Sequence, residues 1–338
     1  MKRQAAIVTL VAAALVLTAA TASAGKPGAG SSTGIGTVFL PNPVADLQDE
    51  SLTDQKDSDY AALQPAYHDV TLTNLDGSGT LTGDWAQITS ETGPAAYSPT
   101  NTFTYHRNDD RFEQVMAYYW ITAAQRYIQS LGFGTGRFPA ANMTSQHVRI
   151  DQYGQDNSFA TDHPKDELRF GKGGVDDAED AEVILHEYGH AVHFAQGFQF
   201  ATEEAGAISE AFGDYLAADV SNIVAPTPDP ACVADWDATS YTSTVPHCLR
   251  RVDLDLHYPA DLTGEVHHDG QIWSRALWDI RGALGHVKAD TIIIDAQFDF
   301  PGDSMADLAQ RTVATAQRLY GKREAAVVTK AFTDRGML

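Results

Sequence analysis

The chain has 338 residues, 43% hydrophobic and 20% charged, with 45 Asp and Glu against 23 Lys and Arg and a formal charge of -22. That much apolar material excludes global disorder, and the length allows about two domains. So acidic a surface repels phosphate backbones, which excludes nucleic acid as a natural partner and suits divalent cations and solubility outside a cell.

The N-terminus reads as an export signal. Lys2 and Arg3 supply the positive start, residues 5–20 are apolar apart from Thr9 and Thr18, and Ala22-Ser23-Ala24 fits a cleavage site before Gly25. The alternative is a membrane anchor, but the apolar run is short for a ~20-residue span. Loss of residues 1–24 removes two basic residues and no acid, leaving 21 against 45, or -24. No later segment is long and apolar enough to span a bilayer. The expectation is a soluble, secreted monomer with no membrane contact once the signal is gone.

Residues 25–36 are rich in Gly, Ser and Ala and read as a flexible mature N-terminus. Residues 37–105 are β-like: Val70-Thr71-Leu72-Thr73 alternates, Asp76-Gly77-Ser78-Gly79 turns, and Thr80-Leu81-Thr82-Gly83 resumes. Residues 112–131 predict a helix, with Val115, Met116, Tyr119, Trp120, Ala123 and Tyr127 at helical spacing and Gly132 as a stop. Short strands are expected at 148–150 and 168–170, with Asp156-Asn157-Ser158-Phe159 in a loop or edge strand between them. Beyond Gly173-Gly174 the texture is helical: 176–196, 202–222, 271–284, 304–320 and 322–332. The class is α+β, a β-rich N-terminal lobe over 25–175 with one long helix and a mainly helical lobe over 176–338.

Residues 225–248 form a Pro-rich loop that holds both cysteines, Cys232 and Cys248. In an exported chain an even pair favours a disulfide, which here would close a loop of about 16 residues and contribute ~3 kcal/mol at best. Two buried free thiols are the alternative.

The chemistry concentrates in His186-Glu187-Tyr188-Gly189-His190, an H-E-x-x-H motif inside a predicted helix. Four residues on a helix place two side chains about 40° apart, one turn along the same face. Two imidazoles so placed suit one Zn²⁺, with Glu187 beside them to act on water. A catalytic zinc needs a third protein ligand. A third histidine six residues on is absent, because that place holds Gln196, and His193 reads as a packing or supporting histidine. Glu210 is the better ligand: a turn at 197–201 between antiparallel helices returns it to the metal. Asp214 shares its face and can accept the other ring N–H of a ligating histidine.

H-E-x-x-H followed by Ala207-Ile208-Ser209-Glu210-Ala211-Phe212-Gly213-Asp214 resembles the gluzincin metallopeptidases of the thermolysin and fungalysin type. The resemblance covers roughly residues 100–335. It implies zinc held by His186, His190 and Glu210 on a helix at the cleft between the lobes, with Glu187 as general base. His267, in Gly264-Glu265-Val266-His267-His268-Asp269-Gly270, matches the histidine that stabilises the oxyanion. Arg250, after Leu249, matches the arginine on the substrate carbonyl, although Arg251 is adjacent. Asn157 matches the edge strand that pairs with substrate backbone. Val183 and Leu249 match positions lining the pocket after the scissile bond, which implies an apolar preference there. Calcium is a possible second ion, at Asp76-Gly77-Ser78-Gly79 or at Asp176, Asp177 and Asp180; the alternative is a solvated turn and a helix N-terminus.

The sequence departs from the family in two respects, of which the first is that the family's oxyanion tyrosine is replaced by Ala201. Either another donor substitutes or His267 and zinc carry that load. The second is that no inhibitory propeptide is apparent in the short stretch before the β-like part. The implied activity is hydrolysis of peptide bonds in polypeptide substrates by direct attack of a zinc-activated water. Two other functions fit the composition. One is an exported binding or adhesion module with a vestigial zinc site, which the intact Glu187 opposes. The other is an aminopeptidase on the same motif, whose Gly-x-Met-Glu-Asn stretch is missing before His186.

Overall fold

A computed structural model describes residues 32–162 and 166–338; the export signal lies outside them. Strand β1 (Ser32–Val38) sits between β2 (His68–Leu75), antiparallel to it, and β4 (Thr102–Phe103), parallel to it. A short helix α1 (Pro43–Leu47) follows β1, capped by the Asn42 side chain. The second sheet runs β3 (Ala86–Ser90), β5 (Gln146–Ile150), β7 (Glu167–Arg169) and β6 (Phe159–Thr161). Its first three strands are parallel, while β6 lies antiparallel on the outer edge. Residues 80–83, expected to resume a strand after the turn, make only isolated bridges.

The stretch expected to be flexible is in part β1. Its glycines serve contact rather than freedom: a Cβ on Gly36 would lie 2.6 Å from the Val115 side chain. Glycine there lets the strand lie directly on α2 (Arg111–Ser130), which buries Phe112, Val115, Met116, Trp120, Ile121 and Ile128.

Every described element beyond residue 175, apart from β8, β9 and two 3-10 turns, is an α-helix. Helix α3 (Ala181–Ala195) starts where the Asp180 side chain accepts the Glu182 N–H, and Gly197 follows its end at φ +72°. Helix α4 (Glu203–Val224) is capped by Thr202 and returns along α3. Then come the two-residue strands β8 (Cys232–Val233) and β9 (Arg250–Arg251), paired antiparallel. Helices α5 (Val266–Leu284), α6 (His286–Gln297), α7 (Met305–Tyr320) and α8 (Lys322–Asp334) complete the chain.

Three helices differ from expectation. α3 begins five residues later than 176, because 177–179 form a 3-10 turn and Asp180 caps the helix. α5 begins five residues early, because Glu265 caps it by accepting the His267 and His268 N–H groups. α6 was not foreseen: its β-branched run Thr291-Ile292-Ile293-Ile294 has low helix propensity and is held by burial.

One cluster of buried apolar side chains reaches from Val38 through α2, α3, α4 and α5 to Met337. The entry to α3 is anchored by a buried ion pair in which Arg107 Nε donates to both Glu179 oxygens, at 3.0 and 2.9 Å. Trp236 Nε1 donates to the same carboxylate at 3.1 Å. These contacts set where α3 begins, and so the height at which its histidines face α4.

Candidate metal centre

His186 and His190 lie one turn apart on α3 with ring centroids 4.9 Å apart and planes crossing at 87°. Facing them from α4 is Glu210: its Oε2 is 3.2 Å from His186 Nε2, and its Oε1 is 3.6 Å from His190 Nε2. Four ligands at about 2.0–2.1 Å in a tetrahedron stand about 3.3 Å from one another. The two separations bracket that value, and ligand atoms of all three residues fall within 4.8 Å of one another. Glu210 Oε2 is buried with no hydrogen-bond partner among the described residues. Two imidazole nitrogens and an unsatisfied carboxylate oxygen, converging at this spacing, fit a zinc ion.

The other ring nitrogens are fixed. His186 Nδ1 meets Asp214 Oδ1 at 2.8 Å, as expected. Asp214 is in turn gripped by Arg250, whose Nε and Nη2 each donate to it at 2.7 Å. His190 Nδ1 meets Ser209 Oγ at 2.8 Å, and His193 Nδ1 meets the same hydroxyl at 2.9 Å. Ser209 was missed as a site residue, because a serine in a helix carries no distinguishing signal. His193 itself is fully buried and stacks on Phe198 and Phe212, so it packs and also supports.

Two glycines make the helix approach possible. A Cβ on Gly189 would lie 2.9 Å from Gly213 Cα, and one on Gly213 would lie 2.6 Å from His186 Nδ1. Both are in ordinary helical conformation, so they are needed for room.

The charges follow from this packing. Burial opposes a charge on His186, but Asp214 and Glu210 overcome it and raise the ring to about 10. His190 has less help, and burial pushes it down to about 4. Burial also opposes the Glu210 anion, yet the two histidines hold its carboxyl well below the usual range. Glu187 is buried beside them and pushed up to about 7, chiefly by that burial, with one carboxylate oxygen unpartnered. A carboxylate poised near neutrality suits a group that takes up and releases a proton.

His267 stands at the start of α5 with Nε2 3.3 Å from Glu210 Oε2, while its Nδ1 meets Glu265 Oε1 at 2.6 Å. Arg250 and Arg251 separate cleanly. Arg250 turns to Asp214 and the cavity, whereas Arg251 pairs with Asp229 and Asp253. Cys232 and Cys248 are bridged, and β8 pairs Cys232 with Arg251 and Val233 with Arg250. The disulfide therefore anchors the strand that presents Arg250.

Two cavities flank the triad, sharing Asn157, Ser158, His186, Glu187 and His267. The larger, of about 490 Å³, runs along β6 past Phe159, Ala160, Phe194 and Phe200. Asn157 thus sits beside the exposed edge of the second sheet, where an extended chain could add as a strand. Ala201, in the turn between α3 and α4, offers no side-chain donor to replace the missing tyrosine.

The smaller cavity, of about 100 Å³, contains Val183 and Leu249 as expected, but also Asp177, Asp237 and Tyr241. Acids thus stand among the apolar residues of this pocket. The acids enter from segments distant in sequence and could not be paired by inspection. Asp180 is the cap of α3, and Asp76 folds back to accept the Ser78 N–H at 2.8 Å as in an ordinary turn.

No family model and no curated protein matches the sequence. Among solved structures the chain is similar to the precursor of protealysin, a metalloproteinase from Serratia proteamaculans. The TM-score is 0.56 at 17% identity, covering 89% of this chain and 99% of that one. That likeness establishes the α+β fold, strands before residue 170 and a helical C-terminal region, as the fold of that protein.

Proposed function

We propose that the chain is a secreted zinc-dependent endopeptidase. The observation that carries the reading is the convergence of His186, His190 and Glu210 at tetrahedral ligand spacing, with Glu187 buried alongside and both cavities opening onto it. Zinc, when bound by these three residues, supplies a Lewis acid that activates water and polarises a carbonyl.

The chain's own residues divide the remaining work. Glu187 takes up the proton of the attacking water on its carboxylate and delivers it to the leaving nitrogen. His267 Nε2 stands within reach of the same space as a donor to the developing oxyanion, and Glu265 on its Nδ1 orients the ring. Asp214 positions His186 and Arg250 together, so the arginine is held ready for a substrate carbonyl. Asn157 and the β6 edge supply hydrogen bonds to an extended substrate. Export rests on the N-terminal pattern and accords with the disulfide. No helix among the described residues is long and apolar enough to cross a membrane.

Digestion of casein by the purified chain, with and without a zinc chelator, tests the reading. Internal cleavage that stops on chelation and returns with zinc is expected. Absence of cleavage, or cleavage indifferent to chelation, refutes it.

A further inference from the structure

The smaller cavity is lined by Val183, Val233, Ala234 and Leu249 together with the acids Asp177 and Asp237. Asp156 stands beside the two acids, with ligating oxygens of all three within 4.8 Å of one another. Asp177 and Asp237 are only 2% and 3% exposed, and Oδ1 of each has no hydrogen-bond partner among the described residues. The partners they do have are few. Ser158 Oγ donates to Asp177 Oδ2, and the Tyr241 hydroxyl donates to Asp156. Among the lining residues Arg250 carries the one permanent positive charge, and Asp214 holds it in a bidentate pair. This cluster is thus rich in buried acceptors and poor in donors.

Buried acceptors without donors are costly, of order 1–3 kcal/mol each, and such groups in folded proteins are usually satisfied by something. We propose that this cavity takes the cationic side chain, lysine or arginine, of the substrate residue on the Arg250 side of the scissile bond. The resemblance to the gluzincin metallopeptidases, which assigns Val183 and Leu249 to the pocket after the scissile bond, makes that the residue after the bond.

This rests on the endopeptidase reading and replaces the apolar preference. The apolar residues suit the aliphatic stem of such a side chain and the acids suit its head. A water needs roughly 10–15 Å³ of cavity, so about 100 Å³ accommodates some seven atoms of that size. A lysine side chain and an arginine side chain fall within that room. A leucine would strip water from the two acids and return nothing. Burial pushes the Asp177 carboxyl up to about 8 and, with the neighbouring acids, holds that of Asp237 well above its usual value despite Arg250. A divalent cation is the competing occupant. Calcium takes six to eight oxygens, and the aliphatic Val183, Val233, Ala234 and Leu249 in this lining offer none from their side chains.

The test uses peptides identical except for Lys, Arg or Leu after the scissile bond. Wild type is expected to cleave the Lys and Arg peptides with kcat/KM on the order of 10- to 100-fold above Leu, the ratio one charge-assisted hydrogen bond supports. Asp237→Asn and Asp177→Asn should lower that ratio toward one by slowing Lys and Arg cleavage while sparing Leu. Calorimetry of the same peptides on Glu187→Gln protein, which binds without turnover, should show the same order. Preference for Leu, or equal loss on all peptides in the Asn variants, overturns the inference and leaves the endopeptidase reading intact. So does calcium binding to wild type that Asp237→Asn abolishes and that blocks Lys peptides. No cleavage of any peptide, with Lys-selective binding retained, refutes the endopeptidase reading and supports the pocket. The wild-type comparison needs no variant, so a misfolded substitution does not stall the test.

Discussion

Gly213→Ala separates helix propensity from site geometry. In an unconstrained helix this change stabilises by about 1 kcal/mol. At Gly213 the added methyl would stand 2.6 Å from His186 Nδ1, 2.8 Å from Cε1 and 3.0 Å from Cγ. Ordinary contact is about 3.5–4.0 Å, so the ring or the helix must move by about 1 Å. Forced overpacking costs about 1–3 kcal/mol, which offsets the propensity gain and leaves a net loss of about 0–2 kcal/mol instead of a gain. A 1 Å shift also exceeds the roughly 0.5 Å that a ligand set tolerates. It would strain the Asp214 contact that orients His186, and zinc affinity should fall on the order of 10- to 100-fold. Competition with a chromophoric chelator reads the affinity, and thermal unfolding with and without zinc reads the stability. Gly282→Ala is the control: Gly282 lies in α5 with nothing within 4 Å of an added Cβ. It should leave zinc binding unchanged and raise Tm slightly. Wild-type zinc affinity and Tm in Gly213→Ala, or equal damage in Gly282→Ala, would refute the argument.

Two carboxylates should fail differently. Glu210→Ala loses a ligand, so zinc content and zinc-dependent Tm drop together, whereas Glu187→Gln keeps about one zinc per chain while kcat falls on the order of 10²-fold or more; metal analysis beside a peptide assay distinguishes them. Asp176 gives a stability test with a definite sign. Burial and the nearby Glu179 charge raise its carboxyl from 3.8 to about 9, so its contribution is fully present below about pH 4 and is lost as pH rises through about 9. In chelator-treated protein, Tm should therefore fall less between pH 5 and pH 9 in Asp176→Asn than in wild type, and equal slopes would contradict the assignment. Reducing the Cys232–Cys248 bridge should lower stability by at most about 3 kcal/mol. Because Arg250 lies on β9, paired to β8 beside the bridge, KM should rise more than kcat falls in initial-rate assays of the reduced protein.

Much of this molecule is legible along the chain. The H-E-x-x-H spacing is helical arithmetic within α3, and Glu210 with Asp214 is the same arithmetic on α4. Gly197, Thr202 and Ser304 mark helix ends by local hydrogen bonding and backbone conformation, so α4, α7 and the end of α3 lie close to where they are expected, while α3 starts after its Asp180 cap, five residues beyond the expected 176. The glycine-rich stretch at β1 and the β-branched α6 misled for one reason: contact with distant residues overrode local preference.

Tertiary structure alone decided the rest. Successive residues of β9 face opposite ways, so Arg250 reaches Asp214 while Arg251 turns to Asp229 and Asp253. Ser209 matters because two histidines of another helix arrive at its hydroxyl. Asp156, Asp177 and Asp237 come from a loop before β6, the turn before α3 and the turn after β8. Charge repulsion among them is invisible in sequence, and it becomes a property of the molecule only because the fold brings oxygens of the three within 4.8 Å of one another.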